Sequence, residues 1–104
     1  MKQLNYNHLY YFYLTAKEGS IAAASKLLHL TPQTISGQLA TLEDYLGLRL
    51  FDRYGKRLVL NDNGKLMYSY AEDIFNLGHE LLQRLEPNQF NQQLTFTVGI
   101  TDVI

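Results

Sequence analysis

The chain has 104 residues, 46% of them hydrophobic, enough apolar surface for the core of one small domain with a tail. It contains no cysteine, which excludes disulfides and thiolate metal sites, and no apolar run approaches the roughly 18 residues of a membrane span. The net charge of −1 hides an asymmetry: residues 1–65 carry eight Lys/Arg against five Asp/Glu, a net +3, and residues 66–104 carry one against five, a net −4.

Residues 5–18 predict a helix, with Leu9, Phe12, Tyr13 and Ala16 at helical spacing and Gly19 as its stop. The opening run MKQLNYNH lacks the apolar stretch of a signal peptide, so a cytoplasmic location is expected. Ser20 is suited to cap a second helix reaching about Leu28, with Ile21, Ala24 and Leu28 as its buried stripe. Ala22, Ala23, Ala24 and Ser25 are all small, which lets another helix cross closely. After the short connection His29-Leu30, Thr31 reads as an N-cap and Pro32 as the first helical residue, where its missing N–H costs nothing. The third helix carries Ile35, Leu39, Leu42 and Leu46 at spacings of 4, 3 and 4, and Gly47 sits just past its end.

Leu50-Phe51 and Leu58-Val59-Leu60 are short β-prone pieces flanking Asp52–Arg57, with Tyr54-Gly55-Lys56 as the turn; together they predict a small hairpin. Asn61 or Asp62 then caps a fourth helix reaching about Leu85. Met67, Tyr70, Ile74, Leu77 and Leu81 are spaced 3, 4, 3 and 4, a heptad-like seam suited to pairing with a second copy. Pro87 ends this helix, and Asn88–Gln93 is a polar linker. Leu94, Phe96, Val98 and Ile100 then alternate with Thr95, Thr97, Gly99 and Thr101, the pattern of a half-buried strand. A lone strand cannot bury its face, so residues 94–100 are expected to open a further domain.

Two short helices joined by a tight turn, 20–28 and 31–46, form a helix-turn-helix pattern, and the hairpin adds a wing. The outward face of the second helix holds Pro32, Gln33, Thr34, Ser36, Gly37, Gln38 and Thr41. Its N-terminal turn suits a major groove: glutamine amides can pair with an adenine edge, Thr34 and Ser36 can reach bases or phosphates, and Gly37 allows close backbone approach. Arg49, Arg53, Lys56 and Arg57 lie within nine residues, placed to touch the sugar-phosphate backbone that supplies most affinity. The alternative is a winged-helix module that binds a protein partner, favoured by the acidic back half and by the lack of Lys or Arg on the 31–46 helix.

Signatures of catalysis are missing. His8, His29 and His79 are scattered without an HExxH pattern, Asp62-Asn63-Gly64 lacks the other ligands of a calcium loop, and Ser20 and Ser36 have no evident base. No enzyme activity, metal or cofactor is expected. Tyr6, Tyr10, Tyr11 and Tyr13 read as core or rim residues of a small domain.

The run Gly19-Ser20-Ile21…Ala24…Leu28-His29-Leu30-Thr31…Ile35-Ser36…Gln38-Leu39…Leu42-Glu43…Leu46-Gly47…Leu50-Phe51-Asp52-Arg53, continued by Leu60-Asn61…Gly64, resembles the N-terminal signature of LysR-type transcriptional regulators. Asn5–Phe12 and Thr31–Ile35 further resemble the subgroup that activates a sodium/proton antiporter operon. The resemblance implies a mainly α fold: a winged helix-turn-helix head over 1–60, a linker and dimerisation helix over 61–86, and a hinge with the first strand of an effector-binding domain over 87–104. It implies double-stranded DNA as partner, with Thr31, Pro32, Gln33, Thr34, Ser36 and Gly37 at the DNA-reading turn and Arg53 as the wing arginine. It also implies a homodimer or tetramer paired through the long helix, here at Tyr70, Ile74, Leu77 and Leu81. RNA polymerase would be a further partner, and the effector would bind the C-terminal domain. Many members carry Ser-Gln-Pro where this chain has Thr31-Pro32-Gln33, and Arg where it has Gly37.

Overall fold

The structure, a computed structural model, describes residues 3–55 and 57–86. It is mainly α, a winged helix-turn-helix with a long final helix: α1 Tyr6–Glu18, α2 Ile21–Leu28, α3 Pro32–Leu46, β1 Phe51–Tyr54, β2 Arg57–Leu60 and α4 Asp62–Leu85. The expected strand over residues 94–100, the linker before it and Pro87 lie outside the described residues. By compactness the chain divides into two units, residues 1–72 and 73–104. The first unit therefore includes about three turns of α4.

Each helix starts at a side chain that satisfies free backbone donors. Asn5 Oδ1 accepts from the N–H groups of Asn7 (2.9 Å) and His8 (3.1 Å), so the first helix begins one residue later than expected. Ser20 Oγ accepts from Ala23 N (3.0 Å), and Thr31 Oγ1 from Thr34 N (3.2 Å). At α4 the open choice resolves to Asn61, whose Oδ1 accepts from Gly64 N at 2.8 Å. Asp62 is the first helical residue, where its charge favours the positive end of the helix dipole.

The core of the first unit lies where α1, α2 and α3 meet. Leu9, Phe12, Ile35, Leu42 and Leu50 are almost wholly buried. Each such side chain contributes roughly 1.5–3 kcal/mol relative to an exposed one. The Phe12 and Phe51 rings meet at 5.4 Å and 52°, which ties the hairpin to α1.

The hairpin is longer than its hydrophobic pieces suggest. Asp52, Arg53 and Tyr54 belong to β1 and Arg57 to β2, although Asp52–Arg57 reads in the sequence as a connection. Tyr54 pairs with Arg57, which leaves two residues for the turn. The first of them, Gly55, has φ +63°, the sign that the tight hairpin turns require and that glycine supplies without strain.

Within the first unit α4 buries Gly64 and Ala71 and half-buries Met67 and Tyr68, residues three and four apart on one face. The Tyr68 ring stacks on Tyr13 of α1 at 5.1 Å and 22°, and Lys17 Nζ lies 5.8 Å from the centre of the Tyr13 ring. Leu66, beside Met67 in the chain, is 61% exposed, because its position points away from that face. In the second unit Ile74 and Phe75 are half-buried, whereas Leu77, Leu81, Leu82 and Leu85 are exposed.

Candidate nucleic-acid interface

The turn between α2 and α3 is set by backbone hydrogen bonds. His29 adopts the left-handed conformation (φ +58°), and the Leu30 N–H reaches back to Ser25 O at 3.0 Å. Ala24 is fully buried where α2 packs in the core. Ser25 is buried beside it and donates its hydroxyl to Ala22 O (2.8 Å), so no polar group is stranded there. Small residues at these places let α3 cross close to α2, as the sequence predicts.

α3 then presents its polar face outward. Ile35, Leu39 and Leu42 are buried; Thr31, Pro32, Gln33, Thr34, Gly37 and Thr41 are exposed, and Ser36 and Gln38 are half-exposed. At the N-terminal turn Thr34 N is capped by Thr31, while the Gln33 N–H precedes the first residue that an intrahelical carbonyl can reach. Together with the helix dipole, this gives the exposed turn a positive potential suited to phosphate.

The hairpin stands beside that face. Ser36, Leu39, Ala40 and Glu43 of α3 line a small concavity with Arg49, Phe51, Arg53 and Leu58. Arg53 is thus brought next to Ser36 on the reading helix. Strand alternation puts Arg53 on the same hairpin face as Phe51, Leu58 and Leu60, and Arg57 on the opposite face with Asp52, Tyr54 and Val59. Arg53 and Arg57, four residues apart in the chain, therefore lie on different faces of the hairpin. Lys56 lies outside the described residues.

Glu43 has a positioning role that its sequence context does not reveal. Its Oε2 accepts from Leu50 N at 2.8 Å, and its Oε1 lies 4.0 Å from Arg49 Nε. The carboxylate thereby fixes the chain between α3 and β1 and turns a second basic side chain, Arg49, toward the concavity. Arg49 is 74% exposed, so this ion pair adds little stability.

Residues 6–65 match the family described as bacterial regulatory helix-turn-helix protein, lysR family. The chain belongs to that family. It is 43% identical over all 104 residues to the transcriptional activator protein NhaR of Escherichia coli (strain K12), and it spans 34% of that relative's length. Among solved structures it is similar to the CbnR DNA-binding domain in a complex with DNA, with TM-score 0.71 and 31% identity over 78% of this chain and 93% of that one. It is also similar to the BenM DNA-binding domain on benA site 1 DNA, with TM-score 0.73 and 25% identity over 78% of this chain and 94% of that one. Its family relatives are transcriptional regulators and not enzymes.

In this family member the fold gathers Thr31, Pro32, Gln33, Thr34, Gly37 and Gln38 on the solvent side of one helix, and Ser36 and Arg53 line the same concavity. Arg49 joins them although the sequence singles it out only as one of four clustered basic residues. Its place depends on Glu43, seven residues before Leu50 in the chain, and helical periodicity carries no signal for that bond.

Proposed function

We propose that this chain is the sequence-specific, double-stranded-DNA-binding part of a transcription regulator, with α3 reading the major groove and the wing gripping the backbone. The observation that carries the reading is the outward N-terminal half of α3, with Gln33, Thr34, Gly37 and Gln38, and with Ser36 lining one concavity together with Arg49 and Arg53. Arg53 and Arg57, with Lys56, would contact phosphates, and Thr31 and Pro32 would bring the helix N-terminus to the backbone. Because α3 carries no Lys or Arg, base discrimination and affinity fall to different elements.

Residues 1–60 would form the head and 61–86 the linker helix, with 87–104 leading into an effector-binding domain of the longer protein. The exposed seam of α4 (Tyr70, Leu77 and Leu81, with the half-buried Ile74) would pair two copies, as a homodimer or within a tetramer, and so double the DNA contact. Such a regulator would act in the cytoplasm, with RNA polymerase as a further partner and its effector bound outside this chain.

The test is a gel shift on duplexes from the promoter region upstream of the parent gene, with and without Gln33→Ala and Ser36→Ala. Operator binding should fall far more than non-specific binding. Equal losses on both would count against direct readout. A chain that retards no duplex, yet captures a protein partner, would favour the protein-binding alternative.

A further inference from the structure

Resting on the DNA-binding reading above, we propose that Arg49 is a phosphate ligand and that Glu43 is its positioning residue, acting through the Leu50 N–H and not through its charge.

The peptide between Arg49 and Leu50 is held from two sides. Its N–H, that of Leu50, donates to Glu43 Oε2 of α3 at 2.8 Å. Its carbonyl, that of Arg49, accepts from Nδ2 of Asn61, the cap of α4, at 2.9 Å. The backbone N–H of Asn61 adds a bond to Leu50 O at 3.0 Å. Both polar groups of that peptide are therefore bonded, one to the reading helix and one to the start of the next helix. A basic side chain that leaves a backbone fixed in this way loses less freedom on binding than one on a loose loop.

The far end of that side chain is available. Arg49 is 74% exposed and approaches Glu43 through Nε alone, at 4.0 Å, too long for a hydrogen bond. Its terminal nitrogens, which carry most of its donors, have no hydrogen-bond partner among the described residues. Arg49 and Arg53 together line the concavity that holds Ser36 and also a neighbouring hollow over Ala40, Asp44 and Leu48. A guanidinium presented there suits a phosphate, whose oxygens it can meet in pairs.

Two opposite effects are expected of Glu43. Its negative charge lies beside both arginines, so by charge alone its removal should strengthen the hold on DNA. As the anchor of Leu50 N, its removal should weaken that hold, because the Arg49–Leu50 peptide then loses its tie to α3. The carboxylate side chain is only 18% exposed and spends Oε2 on the Leu50 N–H, which favours the anchor.

The experiment follows the fluorescence anisotropy of a labelled duplex from the promoter region upstream of the parent gene, titrated with the 104-residue chain between about 50 and 200 mM salt. The variants are Arg49→Ala, Glu43→Gln, Glu43→Ala and each Glu43 variant combined with Arg49→Ala, all checked for native helicity by circular dichroism. Arg49→Ala should reduce the slope of log K against log salt by about 1. Glu43→Gln, whose amide oxygen still accepts from Leu50 N, should bind at least as tightly as the wild type with the same slope, and adding Arg49→Ala should flatten it as before. Glu43→Ala should bind more weakly with an already flattened slope, which Arg49→Ala should change little further. An unchanged slope in Arg49→Ala would overturn the phosphate contact. Tighter binding by both Glu43 variants would show that Glu43 acts by charge and overturn its positioning role. So would a slope flattened by Glu43→Gln, which decides the matter even where Glu43→Ala does not fold. Failure of the wild-type chain to bind any duplex would overturn the DNA-binding reading, and this inference with it.

Discussion

Gly64 lies directly against the Leu50 carbonyl oxygen: a Cβ at residue 64 would overlap that oxygen and approach Leu60 Cδ2 to 2.8 Å. The same junction is held by Asn61, whose backbone N–H donates to Leu50 O (3.0 Å) and whose Nδ2 donates to Arg49 O (2.9 Å). The start of α4 is thus fastened to the residues that lead into β1, and the place of the wing beside α3 depends on that close approach. Gly64→Ala should lower stability by about 1–3 kcal/mol in urea unfolding, although alanine is the better helix former by about 1 kcal/mol. The obstacle is backbone and cannot rotate aside as a flexible side chain would. An alanine variant as stable as the wild type would show that the Leu50 peptide has room to shift.

The Tyr13–Tyr68 stack predicts a loss of stability in alkali. Burial raises the Tyr68 phenol above the ordinary 10.0, and the neighbouring negative charges of ionised Tyr13 and of Glu72, with a hydrogen bond to Tyr13, push in the same direction. The unfolded chain gives up this proton near 10, while the folded chain keeps it to higher pH. The contribution is therefore fully present below about pH 10 and is lost as pH rises beyond it. Tyr68→Phe keeps a ring on Tyr13 and removes the phenol. Its melting temperature should fall less than that of the wild type between pH 9 and 11. Parallel declines would show that other groups carry the alkaline transition.

The four helices are legible because each repeats one apolar spacing; Ser20 and Thr31 can be read from the chain as caps, and at α4 Asn61 is one of two candidates. The strands are less so. Asp52, Arg53 and Arg57 are polar residues recruited into the ladder by the register Asp52↔Val59 and Arg53↔Leu58, which depends on a tight turn at Gly55. The outward face of α3 follows from the buried spacing of Ile35, Leu39 and Leu42. What periodicity cannot show is contact between elements: the Glu43–Leu50 bond, the Gly64–Leu50 approach, and the choice of Met67 over Leu66 for burial on α4.

The separation of Arg53 and Arg57 by the hairpin makes their roles distinguishable. Arg53 shares a concavity with Ser36 and Ala40 of the reading helix, while Arg57 lies on the other hairpin face. Arg53→Ala should weaken binding to all duplexes and reduce the slope of log K against log salt by about 1. Arg57→Ala should have the smaller effect, because its face turns away from α3. Binding titrations from 50 to 200 mM salt, a range over which phosphate contacts are clearly resolved, would measure both. A larger loss for Arg57 would place the DNA backbone on the outer side of the wing.

The exposed face of α4 carries a row of large side chains. Leu66, Tyr70, Leu77 and Leu81 recur at spacings of 4, 7 and 4 and are each more than half exposed, with Ile74 between them. Covering each large apolar side chain would contribute roughly 1.5–3 kcal/mol, so a row of them favours a second copy of the helix. Leu82 is as exposed as Leu77 but lies about 140° further round the helix, off this row. Leu77→Asp should therefore give a monomer in sedimentation velocity, with the helical content of the head unchanged. Leu82→Asp should leave the dimer in place. If Leu82→Asp dissociates the protein and Leu77→Asp does not, the copies meet on the other side of α4 and the heptad reading fails.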